Sequence, residues 1–251
     1  MTDLDHGYQQ AEGLEGLYRH ERDHPWFRHR LNVIRRAFAR HVGKSEKVLE
    51  IGAGTGYTAR ALQNDGYLDL SVGEPQVSGL RYAKQYGLRK LCQFDLRSAP
   101  FRDPFNAVAL FDVLEHLPED ELALRNIHGL LRPRGRVLLT VPAHRWLWSR
   151  IDELSGHYRR YDRRRLSSVL KSAGFEILEC RYFFIALVPG LLVRALLSRR
   201  ATSHSIEARF GLSMSRLGRT ILRLASGPGD IVLFPLCHLI GGSLIAVARK
   251  R

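Results

Sequence analysis

The stretch that decides the fold of this chain is Val48-Leu49-Glu50-Ile51-Gly52-Ala53-Gly54-Thr55-Gly56-Tyr57. Its apolar start predicts a short buried strand, and the apolar-periodic segment at 58–62 predicts a helix. The three glycines between them let the backbone turn sharply and let a ligand approach without meeting a Cβ. The helix start also offers free N–H groups and the positive end of its dipole. The stretch therefore predicts a strand–loop–helix unit that binds a ligand at the glycines.

The loop has the spacing E-x-G-x-G-x-G, formed by Glu50, Gly52, Gly54 and Gly56. The dinucleotide fingerprint has a different spacing, G-x-G-x-x-G. The observed spacing resembles motif I of class I S-adenosylmethionine (SAM)-dependent methyltransferases. The alternative is a glycine-rich turn that binds nothing.

Four later segments resemble landmarks of the same family, in the family's order. They are a strand ending in Glu74, a strand closed by Asp95, the segment 107–117 that contains D-V-L-E-H, and the segment 131–142. The D-V-L-E-H form resembles the quinone-biosynthesis O-methyltransferases. The segment 131–142 resembles the family's L-x-P-G-G turn and fifth strand, with Arg134 in place of the first glycine. The resemblance implies an α/β fold: a doubly wound, seven-stranded Rossmann-like sheet with strand 7 antiparallel, and SAM as cofactor.

The predicted cofactor site lies at the carboxyl ends of the parallel strands. Ligands of such sheets bind at this edge, where the strand order reverses. A carboxylate at Glu74 can accept both ribose hydroxyls, and the resemblance implies an adenine contact for Asp95 and a SAM carboxylate contact for Arg30. A solvated charge is the alternative for Arg30. The predicted cofactor-binding residues are Arg30, Glu50, Gly52, Gly54, Gly56, Glu74, Asp95, Phe111 and Asp112.

The chain divides into three predicted regions. Residues 1–44 form an N-terminal cap region, in which 1–24 lack periodicity and are expected to be mobile, and a helix begins at Pro25. Residues 45–184 together with 241–251 form the methyltransferase domain. Residues 185–240 form a basic, amphipathic helical insertion between strands 6 and 7.

The insertion combines apolar runs with seven arginines, against Glu207 and Asp230. Apolar faces flanked by arginines are typical of helices that lie in a membrane interface and favour anionic lipid. An extra helical layer or a dimer contact is the alternative. No apolar run reaches the ~20 residues of a spanning helix, so we expect a peripheral position on the inner face of the cell membrane.

The net charge of +14 is concentrated in one part of the chain. Residues 142–251 hold 19 Lys and Arg against 7 Asp and Glu, whereas residues 46–141 hold 12 of each. This asymmetry indicates an acidic substrate, a nucleic acid or an anionic membrane surface as partner. The three cysteines are far apart and fit neither a disulfide framework nor a zinc site, and the N-terminus lacks a signal-peptide pattern. Both observations favour the cytoplasm.

A long aromatic and basic loop follows strand 5, at 143–161. Its pattern, P-A-H-x-x-L-W-S-x-x-D-x-x-x-G-H-x-R-R-Y, resembles a hallmark of one bacterial branch of the family. We assign it to substrate binding, because loops of this length are usually functional and arginines hold phosphate or carboxylate groups. A solvated basic loop is the alternative. The predicted substrate-binding residues are Trp148, Asp152, His157, Arg159, Arg160 and Tyr161.

Methyl transfer from a sulfonium requires an aligned donor and acceptor, exclusion of water and, where needed, removal of a proton. Histidine suits the last task because its pKa lies near working pH. His116 follows strand 4 and His144 follows strand 5, so both are predicted catalytic residues. A structural or substrate hydrogen-bonding role is the alternative for each. No cluster of metal ligands is recognised in the sequence, and no metal is expected.

The predicted function is SAM-dependent methyl transfer, to oxygen, on an acidic amphipathic or lipid-linked acceptor at the cytoplasmic membrane face. The alternatives are an RNA methyltransferase, a soluble small-molecule methyltransferase and a non-catalytic membrane-associated scaffold. Nucleic acid is disfavoured as a partner because the chain lacks an N-P-P-Y-like tetrapeptide and a recognisable RNA-binding appendage. Assembly into an oligomer stays open.

Overall fold

The computed structural model describes residues 11–198, 220, 223 and 234–251. Most of the predicted insertion at 185–240, and residues 1–10, lie outside the described residues. The strands are β1 (Val48–Ile51), β2 (Leu70–Gly73), β3 (Leu91–Cys92), β4 (Phe105–Phe111), β5 (Leu131–Pro142), β6 (Phe175–Phe183) and β7 (Ser243–Lys250). The helices are α1 (Ala11–His20), α2 (Pro25–His41), α3 (Tyr57–Asn64), α4 (Val77–Gln85), α5 (Asp120–Leu130), α6 (Arg150–Leu154), α7 (Arg163–Ser172) and α8 (Val188–Ser198).

The seven strands form one sheet in the order β3-β2-β1-β4-β5-β7-β6. Strand β7 is antiparallel to both of its neighbours, and β1 to β5 pair in parallel. The predicted doubly wound, seven-stranded sheet with an antiparallel last strand is therefore confirmed. Strand order reverses between β1 and β4, and ligands of such sheets bind at this point.

Helices cover both faces of the sheet, and the central strand β4 is accordingly buried along almost its whole length. In β4, Val108 and Leu110 pack into a core layer that includes residues of α5 and α7. Ala107 and Ala109 pack into a second layer, which includes residues of α2, α3 and α4. All four side chains are fully buried. The carboxyl end of β4 is thereby fixed between two cores.

The expectation of a mobile start is wrong for the residues of helix α1. Leu14 and Leu17 are buried and pack against Phe27 at the start of α2. Leu14, Leu17 and Glu21 stand three and four positions apart, so they share one side of the helical segment. Gly16 lies between Leu14 and Leu17 and weakens this pattern in the sequence, since glycine disfavours helix.

A buried carboxylate joins this N-terminal segment to the glycine loop. The hydroxyls of Thr55 and Tyr86 donate to Oε1 of Glu21 at 2.6 and 3.0 Å. Burial raises the pKa of Glu21 to about 7, although both hydrogen bonds act in the opposite direction. The folded protein therefore keeps Glu21 protonated up to a higher pH than the unfolded chain does.

We expect Glu21 to make stability depend on pH. Its raised pKa means that the folded state holds the proton more tightly, so stability present at low pH is lost as pH rises from about 4.5 to about 7. Glu21→Gln keeps an acceptor oxygen but carries no charge. Over this interval we expect its free energy of unfolding to fall by about 3 kcal/mol less than that of the parent protein. Urea denaturation at a series of pH values measures this difference.

The matched control is Glu15→Gln, which removes an exposed carboxylate of α1 that pairs with Arg19. This variant is expected to keep the pH dependence of the parent protein. If Glu21→Gln and the parent protein lose the same stability with rising pH, the ionisation assigned to Glu21 is wrong.

Candidate active site

A cavity of about 560 Å³ lies at the reversal point of the sheet. Its wall combines the glycine loop, the ends of β1 and β4, the loop after β5, and residues of α1, α2 and α8. The predicted site residues in the wall are Arg30, Glu50, Gly52, Gly54, Phe111, Asp112, His116, Asp152, His157 and Arg160. The predicted site residues outside the wall are Gly56, Glu74, Asp95, His144, Trp148, Arg159 and Tyr161.

The glycine loop adopts a left-handed backbone at Gly52, Gly54 and Gly56, with φ values of +66°, +56° and +82°. A Cβ on Gly56 would lie 2.9 Å from the Cβ of Ala83, so packing against α4 requires glycine there. Among the described residues, a Cβ on Gly54 would come within 4 Å only of Leu14, at 3.7 Å. Gly54 lies in the cavity wall, and its missing side chain leaves room for a ligand.

Glu74 supports this loop from behind the wall. Its Oε2 accepts from the backbone N–H of Gly54 at 2.9 Å, and its Oε1 accepts from the N–H of Gln76 at 3.1 Å. Burial raises the pKa of Glu74 to about 7, although both hydrogen bonds lower it. The ribose contact expected for Glu74 stays a prediction, because here the carboxylate binds the backbone of the loop.

An arginine and two carboxylates meet at the ends of β1 and β4. Arg30 Nε lies 2.5 Å from Oδ2 of Asp112, and its NH2 group donates to the carbonyl of Phe111 at 2.7 Å. Glu50 is buried, and its Oε2 has no hydrogen-bond partner among the described residues. A guanidinium beside buried carboxylates fits the carboxylate and ammonium groups of an amino acid. The glycine cradle formed by the loop at Gly52 and Gly54, and the charged corner formed by Arg30, Glu50 and Asp112, together fit SAM.

Several predicted residues have contacts that hold the fold together. Asp95 pairs with Arg97 and caps the turn that starts at Leu96. The ring of His144 stacks on Tyr182, with centroids 4.7 Å apart. The catalytic role predicted for His144 stays a prediction, and its ring lies outside the cavity wall.

The loop after β5 provides further contacts away from the cavity. The Tyr161 hydroxyl donates to Asp120 at 3.0 Å, and Arg159 pairs with the same carboxylate at 3.1 Å. Trp148 Nε1 donates to Glu153 at 3.4 Å. These three predicted substrate residues thus hold the loop in position, and their binding role stays a prediction.

Asp152 is the centre of the part of this loop that lines the cavity. It closes a capping box with Ser149 at the start of α6. Its Oδ1 accepts from Arg160 Nε at 2.7 Å and lies 2.9 Å from Nδ1 of His157. Burial alone would raise the pKa of Asp152, but the hydrogen bond with His157 and the charge of Arg160 hold it well below its usual value.

Among the acidic and basic side chains of the cavity wall, sequence reasoning missed three: Glu21, Glu115 and Arg194. Arg194 of α8 is partly buried, and its Nε has no hydrogen-bond partner among the described residues. Burial and the neighbouring charge of Arg160 lower the pKa of Arg194. The spacing from Leu14 and Leu17 could have revealed Glu21, and the position next to His116 could have revealed Glu115.

His116 is the predicted catalytic histidine that lines the cavity. Its ring lies against that of His157, with centroids 4.7 Å apart. Burial and the neighbouring His157 lower the pKa of His116 to about 3, although hydrogen bonds with the backbone of Gly156 and Ser155 oppose this shift. The ring is therefore neutral at physiological pH.

Comparisons with known proteins agree with this geometry. A family model described as a methyltransferase domain matches residues 18–180. The ubiquinone biosynthesis O-methyltransferase of Xylella fastidiosa (strain 9a5c) is 30% identical over 125 residues, which cover 45% of this chain and 49% of that protein. The chain thus spans about half the length of the curated relatives it matches.

Solved structures share the fold at low identity. Phosphoethanolamine N-methyltransferase 2 of Haemonchus contortus, solved with SAM, has a TM-score of 0.59 and 17% identity, covering 98% of this chain and 59% of that chain. The N-methyltransferase NodS of Bradyrhizobium japonicum WM9, solved with S-adenosylhomocysteine, has a TM-score of 0.54 and 14% identity, covering 91% and 89%. The chain belongs to the methyltransferase-domain family.

Proposed function

We propose that this protein transfers a methyl group from SAM to an oxygen atom of an acidic, amphipathic acceptor, at the surface of a membrane. When bound, SAM supplies a methyl group activated by its sulfonium sulfur. The observation that carries the proposal is a cavity that joins the glycine cradle to a partly buried arginine, Arg194, with no hydrogen-bond partner at its Nε among the described residues.

Residues of the cradle would hold the cofactor in this proposal. The left-handed loop at Gly52 and Gly54 leaves space for it, and Glu74 keeps that loop in place. Arg30 and Glu50 would bind the amino-acid end, since they offer opposite charges at one corner of the cavity. Such fixed polar groups orient the donor without reorganising during the reaction.

The acceptor would lie beside α8. Leu187 and Leu191 contribute apolar surface to the wall, and Arg194 contributes the positive charge. A partly buried guanidinium that forms no ion pair with a carboxylate of the described residues favours an anionic group such as phosphate or carboxylate. Arg160 is also in the wall, but it already binds both oxygens of Asp152. Arg194 is therefore the better candidate for contact with an acidic acceptor.

The outer side of α8 supports a membrane location. Val193 and Leu196 are 56% and 54% exposed, next to residues that line the cavity. Exposed apolar side chains on a helix with arginines nearby are typical of contact with a lipid surface. Among the described residues, no helix has the length and apolar character needed to cross a bilayer. The proposed contact is therefore peripheral.

The cofactor site is tested by titration of SAM and S-adenosylhomocysteine in a calorimeter. We expect Gly54→Arg to abolish binding, because the new side chain projects from the cradle and the residue is strained at φ +56°. Gly129→Arg is the matched control, because Gly129 is exposed on α5 and a Cβ there would meet no atom of the described part of the chain within 4 Å. Equal SAM affinity in the two variants, with both folded by circular dichroism, would contradict the proposed site.

The acceptor contact is tested by transfer of labelled methyl from SAM into bacterial lipid extracts. We expect Arg194→Gln to raise the KM for the acceptor by about tenfold or more, since a charged hydrogen bond contributes roughly 1.5–3 kcal/mol. Its affinity for SAM should be unchanged. The control is Arg164→Gln, which removes an exposed arginine of α7. Arg194 has no acceptor role if both variants keep the parent kinetics.

The membrane contact is tested by sedimentation with phosphatidylglycerol vesicles and, separately, phosphatidylcholine vesicles. We expect the parent protein to sediment with the anionic vesicles, and Val193→Asp to reduce this fraction, because a charge replaces apolar surface in the interface. Leu68→Asp is the control, as Leu68 is 75% exposed elsewhere on the molecule. If the parent protein stays in the supernatant with anionic vesicles at physiological salt, the membrane proposal is wrong.

A further inference from the structure

Three side chains that can bind a cation lie together in the cavity wall: Glu115, His116 and His157. Each offers one ligand atom, and these atoms all lie within 4.8 Å of one another. Glu115 and His116 belong to the turn after β4, whereas His157 belongs to the loop after β5. The backbone N–H of Tyr158 donates to the carbonyl of Glu115 at 2.8 Å and so ties the loop to the turn.

The carboxylate of Glu115 is the unusual member of this cluster. The residue is fully buried, and neither carboxylate oxygen has a hydrogen-bond partner among the described residues. A buried carboxylate is costly unless donors or a cation lie beside it. Its place in the wall makes it available to a ligand in the cavity.

Both histidines have the outer partners that metal-binding histidines usually have. Nδ1 of His157 lies 2.9 Å from Oδ1 of Asp152, and the ring of His116 forms hydrogen bonds with the backbone of Ser155 and Gly156. At His157, a contact of this kind at Nδ1 fixes the tautomer and orients the ring, as outer partners do for metal-binding histidines. The Asp152 network, which also includes Arg160, therefore orients His157.

We propose that Glu115, His116 and His157 bind a divalent cation in the wall of the cavity. Two imidazoles and one carboxylate are a donor set that suits Zn²⁺ and related transition metals, whereas Mg²⁺ prefers oxygen ligands. Three protein ligands leave at least one coordination position open, as in catalytic rather than structural zinc sites. Because the cluster lies in the wall, a molecule in the cavity could supply the remaining ligand.

The role of the cation rests on the proposed function. An acceptor hydroxyl bound at the open position would lose its proton to solvent more readily, since a bound cation lowers the pKa of a coordinated oxygen. The oxygen then forms a bond to the methyl carbon as the carbon–sulfur bond breaks, and the electron pair of that bond returns to sulfur. His116 acts in this scheme as a ligand of the cation instead of as a general base.

The test is titration of the untagged full chain with ZnCl₂ in a calorimeter. We expect saturable binding at one site, and a loss of affinity of more than about tenfold in Glu115→Gln and in His157→Gln. The control is His128→Gln, because His128 lies on α5 against Phe175 and outside the cavity wall. Absence of zinc binding by the parent protein, or equal binding by all four proteins, overturns the proposal.

Two further measurements keep the outcome decisive. Titration with SAM shows whether each variant is folded around its cofactor site: lost zinc binding with retained SAM binding supports the proposal. Where a variant does not fold, the cobalt(II) spectrum of the parent protein decides, and absence of d–d bands from nitrogen-coordinated metal overturns the site. Zinc binding without SAM binding would refute the proposed function alone, and SAM binding without zinc binding would refute the cation site alone.

Discussion

The left-handed backbone of the glycine loop is the constraint on which the cavity depends. Three positive φ values between Ile51 and Tyr57 turn the chain from β1 into α3 without filling the space above the sheet. Two carboxylates hold this conformation from opposite sides: Glu74 accepts from the backbone of Gly54, and Glu21 accepts from the hydroxyl of Thr55. The N-terminal helix is thereby attached to the same loop that shapes the cofactor cradle.

Asp152 has the corresponding role on the other side of the cavity. Its two oxygens close the start of α6, orient His157 and neutralise Arg160, all within one buried contact set. A residue predicted to bind substrate thus acts here by positioning the residues around it. The sequence pattern placed Asp152 in the loop after β5. Its contacts with several partners could not be predicted, because no pattern in a single sequence indicates them.

The fold and the composite site at the strand ends were predictable because they follow from local patterns. Apolar runs between turn residues predict strands, and the parallel arrangement brings Glu50 and Asp112 to one edge. The side-chain contacts were harder to predict, since they depend on tertiary packing. Glu115 and His157 stand far apart in the sequence, and tertiary contacts such as the hydrogen bond from the Tyr158 N–H to the Glu115 carbonyl bring them together. Arg194 lies in an apolar run whose sequence favoured a lipid contact, yet it faces the cavity.

The buried acids around the cavity affect both the stability of the protein and the charge of the ligand that the cavity can bind. Burial raises the pKa of Glu50 to about 8 and of Glu74 to about 7, and also raises that of Glu115. At neutral pH such groups destabilise a protein unless positive charge lies nearby. SAM brings a sulfonium and an ammonium group, whereas the product S-adenosylhomocysteine has lost the sulfonium charge. Under the proposed function, the positive charge that SAM brings would therefore offset part of the cost of burying these acids, which would link cofactor binding to stability.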